Sequence, residues 1–138
     1  MIKSIVRLFR YLFAIYIALV FFFCLYSFGD TGINLSEYIF GIRADRVAHF
    51  IMFFPYPISA WLALKGSLRK LFPEFPQIIV LLSGFGLAFI AETLQKLNPA
   101  RESDLFDLAA NFIAIISGTL VIFVLRKFID NVWPDRLQ

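Results

Sequence analysis

The side chains able to do chemistry are few, and they fall in helical register. Asp45 and His49 are four residues apart, so a helix would set them on one face, and Tyr56 continues that face deeper. Glu92 and Gln95 are three apart; Asp104, Asp107 and Asn111 follow at i, i+3 and i+7. Arg46 and Arg101 flank these groups. His49 could act as a general base or a metal ligand, or simply bond to Asp45 or Glu92 and lock two helices together. Asp45, Glu92 and Asp107 would repel one another unless Arg46, Arg101 and His49 neutralise them or one of them takes a proton. If there is a catalytic group, His49, Glu92 and Asp107 are the candidates. The same three would be the ligands of a divalent cation, but no spacing is diagnostic of a metal. Neither a metal nor a cofactor is therefore expected. Gln95 and Asn111 offer donors and acceptors, either to a ligand or between helices. Arg101 would suit a phosphate or carboxylate head group, or it would simply reach out to water.

These residues sit in an apolar setting. Of the 138 residues 60% are hydrophobic, against roughly 45–50% in a soluble domain. The excess falls in four blocks, each close to the ~20 residues that cross a bilayer. Helices are expected at about 8–28, 45–64, 77–97 and 104–125. Pro55 and Pro57 should kink the second, and neighbours would have to satisfy the carbonyls they free. Loops are expected at Gly29–Ala44, Lys65–Pro76 and around Asn98-Pro99. The pieces outside the blocks are too short for a second core, so the chain reads as one domain, 1–138.

A charge at the centre of a membrane helix costs at least ~2.5–3.5 kcal/mol, so the polar residues need a reason to be there. They cluster near the same ends of helices two, three and four, with His49, Glu92 and Asn111 roughly 6–10 Å below those ends. Moving along the same stripes come Ala88 and Gly84, then Ala114 and Gly118, small residues that let membrane helices approach closely. The polar faces should thus point into the bundle. The opposite halves look almost purely apolar, which argues against a pore or a proton-driven transporter.

The net charge of +3 forms no continuous basic stripe, so nucleic acid is not an expected partner. Cys24, the only cysteine, reads as a packed thiol. The basic start before Tyr11–Phe28 resembles a signal peptide, but the apolar run is too long and no small-x-small site follows, so a retained helix is expected. Nine Lys and Arg flank one side of the four crossings and four flank the other. The excess places both termini in the cytoplasm and the polar ends outside.

Three segments together resemble the VanZ-like family. They are DRVAHF at 45–50, AETLQ at 91–95 and RESDLFDLAAN at 101–111, with Ala114 where the family usually has glycine and Gly118 at a second glycine position. The resemblance covers about residues 8–125. It implies a bacterial inner-membrane protein of the cell envelope, with a link to tolerance of the glycopeptide teicoplanin. The expectation is an all-α, four-helix transmembrane bundle with both termini cytoplasmic. Its outward polar pocket (Asp45, Arg46, His49, Glu92, Gln95, Arg101, Asp107, Asn111) would bind membrane lipids or a lipid-linked cell-wall precursor. The alternatives are an intramembrane enzyme acting on a polyprenyl-phosphate or phospholipid head, and an accessory subunit whose polar cluster is structural. Ligand identity and oligomeric state stay open.

Overall fold

The structure is a computed structural model and describes residues 2–26, 34–99 and 104–132. The chain forms α1 (Ile2–Leu25), a two-stranded hairpin of β1 (Tyr38–Ile39) and β2 (Ile42–Arg43), then α2 (Ala44–Phe53), α3 (Pro55–Leu71), α4 (Pro76–Gln95) and α5 (Leu105–Val132). Among the described residues, four stretches are long and apolar enough to cross a membrane: Ser4–Leu25, Ala44–Leu71, Pro76–Gln95 and Leu105–Val132. The protein is thus a helical bundle with the makings of a multi-pass membrane protein. Its outer surface carries Leu12, Ile15, Phe22, Leu82, Phe89, Leu120 and Phe123, all exposed, as lipid contact requires.

The second stretch breaks at Phe54, between α2 and α3, as its prolines predict. Pro55 and Pro57 have no N–H, so the carbonyls of Ile51 and Phe53 lose their helical donors. Tyr16 of α1 donates its hydroxyl to the Met52 carbonyl between them, at 2.6 Å. Gly118 of α5 packs against the break: a Cβ there would lie 2.5 Å from the Phe54 carbonyl oxygen and 3.1 Å from the Pro57 ring. Gly84 of α4 plays a similar part, with Ile115 and the Tyr56 ring 2.8–3.0 Å from where its Cβ would be. The small-residue stripes are therefore contact faces, as their spacing suggested.

Around α5 pack α2, α3 and α4, while α1 lies against α3 and α4. Only 11% of the apolar window of α1 is buried, so α1 is a peripheral helix held by one side. Cys24 is fully buried with Val20, Phe53, Ala88 and Ile115.

Several boundaries differ from expectation. The segment Lys65–Leu71 is helical, which leaves only 72–75 as the turn to α4. Helix α5 runs on through Arg126 and Lys127 to Val132 rather than stopping at Leu125. Helix α1 begins at Ile2 rather than near residue 8. Hydropathy marks where the apolar core of a helix ends. It does not mark where the backbone stops being helical, and Lys and Arg are good helix formers. The expected 29–44 loop holds the hairpin, whose turn places Phe40 at φ 50° and Gly41 at φ 80°. Two consecutive positive φ values define the tight turn that suits a hairpin's twist, and glycine takes its place there without strain. Residues 27–33 of that loop lie outside the described residues.

Candidate functional site

The polar residues converge at the hairpin end of the bundle. Asp45 and His49 come from α2, Glu92 and Gln95 from α4, and Asp107 and Asn111 from α5. All six are buried, with Asp107 at 1% and Asn111 at 0% exposure. The hairpin places Arg43 at the start of α2, where its guanidinium lies 3.9 Å from Asp45 and 3.8 Å from Asp104. Asp104 caps α5: its carboxylate accepts from the Phe106 N–H at 3.1 Å, and its carbonyl accepts from Asp107 N–H. Arg46 donates to the same carboxylate at 3.0 Å and stacks over Phe106, 4.6 Å from the ring centre. The Phe106 N–H and the Arg46 side chain hold the Asp104 carboxyl below the usual carboxylate range.

Beneath this rim lies the histidine. His49 Nδ1 is 3.0 Å from Asn111 Oδ1. An amide oxygen can only accept, so Nδ1 carries the proton and donates. His49 Nε2 then faces Asp45 at 3.7 Å and the Gln95 amide nitrogen at 3.5 Å. One ligand atom each from Asp45, His49 and Asp107 lies within 4.8 Å of the others. Asp107 Oδ1 is 4.0 Å from Arg46 Nε, beyond hydrogen-bond reach. Neither Asp107 Oδ1 nor Asn111 Nδ2 has a hydrogen-bond partner among the described residues.

The expected set is thus largely brought together, with differences in detail. His49 bonds across to α5 through Asn111, in addition to facing Asp45. Glu92, a candidate ligand with His49 and Asp107 had a cation been bound, lies within electrostatic reach of Asp107 but outside the group that Asp45 completes. Arg101 lies outside the described residues. The residues are covered by the bundle rather than lying in a cup open to the surface.

What opens instead is a cavity of about 500 Å3 on the side of the bundle, between α1 and α2. Asp45, His49 and Gln95 form one end of its wall, and Tyr16, Met52 and Pro55 the other. Leu19, Phe23 and Ile51 also line it and are exposed, so it communicates with the lipid-facing surface.

A second polar cluster was not expected. Lys65, fully buried on α3, donates to Asp130 of α5 at 3.0 Å. Arg69, one turn on, donates to both Asp130 oxygens at 2.9 and 3.0 Å and lies over the Trp61 ring at 5.3 Å. The half of the bundle away from the hairpin is therefore not purely apolar. The i, i+4 spacing of Lys65 and Arg69 was visible; their treatment as loop charges hid its meaning.

Compared with family models, with curated proteins and with solved structures, the chain matches none of them.

Proposed function

We propose that the protein binds a membrane amphiphile, with the chain of the ligand in the cavity between α1 and α2 and its head against Asp45, His49 and Gln95. The observation that carries this reading is the join of an apolar, laterally accessible cavity to a buried polar layer. Its volume falls in the roughly 300–1,000 Å3 range of small-molecule sites. A polar layer that served only to hold helices together would need no such opening.

In this reading the termini are cytoplasmic, on the strength of the Lys and Arg excess, and the polar layer faces the outer leaflet. The chain is then a VanZ-like protein of the bacterial cytoplasmic membrane, and its ligand belongs to the cell envelope, such as a lipid-linked wall precursor. The resemblance of residues 45–50, 91–95 and 101–111 supports this, and a link to teicoplanin tolerance follows from it.

The test is native mass spectrometry of protein released from its membrane. Wild type should carry an amphiphile of defined mass, and Ala48→Trp should lose it while melting as wild type does. Ala48 is exposed on the cavity wall, one turn from Asp45, so a large side chain there fills the cavity without entering the core. Equal lipid carry-over in both proteins overturns the reading. Turnover of the bound lipid by wild type would make the site an enzyme's.

A further inference from the structure

We infer that Asp45, His49 and Asp107 form a site for a divalent metal ion. No linear spacing in the sequence is diagnostic of a metal. The fold supplies what spacing did not: α5 brings Asp107 to the Asp45/His49 face of α2, with all three ligand atoms within 4.8 Å. The ligand atoms of a tetrahedral ion with bonds of ~2.0–2.1 Å stand ~3.3 Å apart. Side-chain rotation would bring the three atoms from their present spacing to that one.

Two further observations point to a ligand. Asn111 is wholly buried; its oxygen holds His49 Nδ1, and its Nδ2 has no hydrogen-bond partner among the described residues. This amide leaves the Nε2 lone pair of His49 turned toward Asp45 and the Gln95 amide, which an ion would displace; metal-bound imidazoles likewise have their other N–H fixed by an acceptor. Asp107 is equally buried, and its Oδ1 has no hydrogen bond among the described residues, Arg46 Nε lying 4.0 Å away.

One nitrogen and two carboxylate oxygens suit Zn2+ or Mn2+ and leave coordination positions open. Asp45 and His49 also line the lateral cavity, so those positions face the bound amphiphile. The ligand class that fits is an amphiphile with a phosphate head, one oxygen of which completes the ion's shell. That second step rests on the amphiphile reading; the ion itself does not.

Zn2+ titrated calorimetrically into detergent-purified, chelator-treated protein, with no phospholipid added, reads the ion alone. Wild type should take up one equivalent. Asp107→Asn and His49→Ala should weaken it at least tenfold, and Asn111→Ala, which removes a positioning residue, by roughly 10–100-fold. Glu74→Gln, in the exposed α3–α4 turn, should leave it unchanged. If the site variants fail to fold, Co2+ absorption of wild type decides, since nitrogen and oxygen ligation gives visible bands. No stoichiometric uptake, or uptake that Asp107→Asn leaves intact, overturns the site; Asp45 and Asp107 would then be sharing a proton. Dodecyl phosphate retention in nanodiscs should rise at least tenfold with Zn2+. An unchanged retention beside normal Zn2+ uptake overturns the phosphate assignment alone.

Discussion

Replacing Gly118 by alanine should destabilise the bundle, although alanine is the better helix former. The reason is the proline break. Gly118 of α5 sits where a Cβ would be 2.5 Å from the Phe54 carbonyl oxygen and 3.1 Å from two carbons of the Pro57 ring. A carbonyl and a proline ring have no free rotor to turn away, so α5 must move outward from α2 and α3. Overpacking of this kind costs typically ~1–3 kcal/mol. The helix-propensity gain of glycine to alanine returns ~0.5–1 kcal/mol, so a net loss of about 1–2 kcal/mol is expected. Two other glycines calibrate the result. At Gly84 the nearest atoms are the Ile115 methyl and Tyr56 ring at 2.8–3.0 Å, side-chain atoms that can give, so the loss should be smaller. At Gly86 nothing lies within 4 Å, and alanine should be neutral or stabilising. Denaturation in mixed micelles, followed by far-UV circular dichroism, gives the order directly. If Gly118→Ala is as stable as Gly86→Ala, the close approach of α5 to the break is wrong.

The other predictions follow from the polar groups and the proposed orientation. Asp130→Asn should cost up to ~3 kcal/mol, since it removes a carboxylate partner of a fully buried Lys65; the value is an upper bound because Asp130 is itself 31% exposed. A stability unchanged within 0.5 kcal/mol, on the order of a surface substitution, would show the α3–α5 staple to be idle. His49 is the chain's one histidine, so 15N-histidine labelling of untagged protein yields a single imidazole, expected to carry its proton on Nδ1; a neutral ring protonated on Nε2 would contradict the Asn111 bond. The Asp104 carboxyl is held low by the Phe106 N–H and Arg46. Its contribution should thus be present above the ordinary carboxylate range and fade as pH falls through its folded value. Stability curves of wild type and Asp104→Asn should therefore converge on acidification, and a gap that persists in acid would refute the linkage. Fused after the carboxyl terminus, green fluorescent protein should fluoresce and alkaline phosphatase stay silent; the reverse would invert the orientation.

Much of this architecture could be read from the chain, because bilayers impose simple rules. Four apolar blocks gave four candidate crossings, and Pro55 and Pro57 located the break. Helical spacing alone put Asp45 with His49, and Asp107 with Asn111. What it could not supply was partnership between helices. Whether His49 would meet Glu92 or Asn111 depends on helix rotation and offset, which Gly84 and Gly118 set through contacts no linear pattern reveals. Lys65 and Arg69 were misread for a related reason. Basic residues after an apolar block look like flanking charges, and only the extension of α3 and α5 beyond their apolar cores brings Asp130 to them. The lateral cavity was invisible for the same cause: it is the gap left where peripheral α1 meets a broken helix.

The claim on which the rest turns is that an amphiphile occupies that gap with its head at the polar layer. Photo-crosslinking in nanodiscs tests it most directly, using a long-chain alkyl phosphate with a diazirine near its head and mapping the adducts by peptide mass spectrometry. The account predicts adducts concentrated on the cavity wall near Asp45, Ala48 and Gln95, and suppressed by Ala48→Trp. Adducts spread evenly over the exposed lipid-facing residues, such as Leu82, Leu120 and Phe123, and indifferent to that substitution, would contradict it.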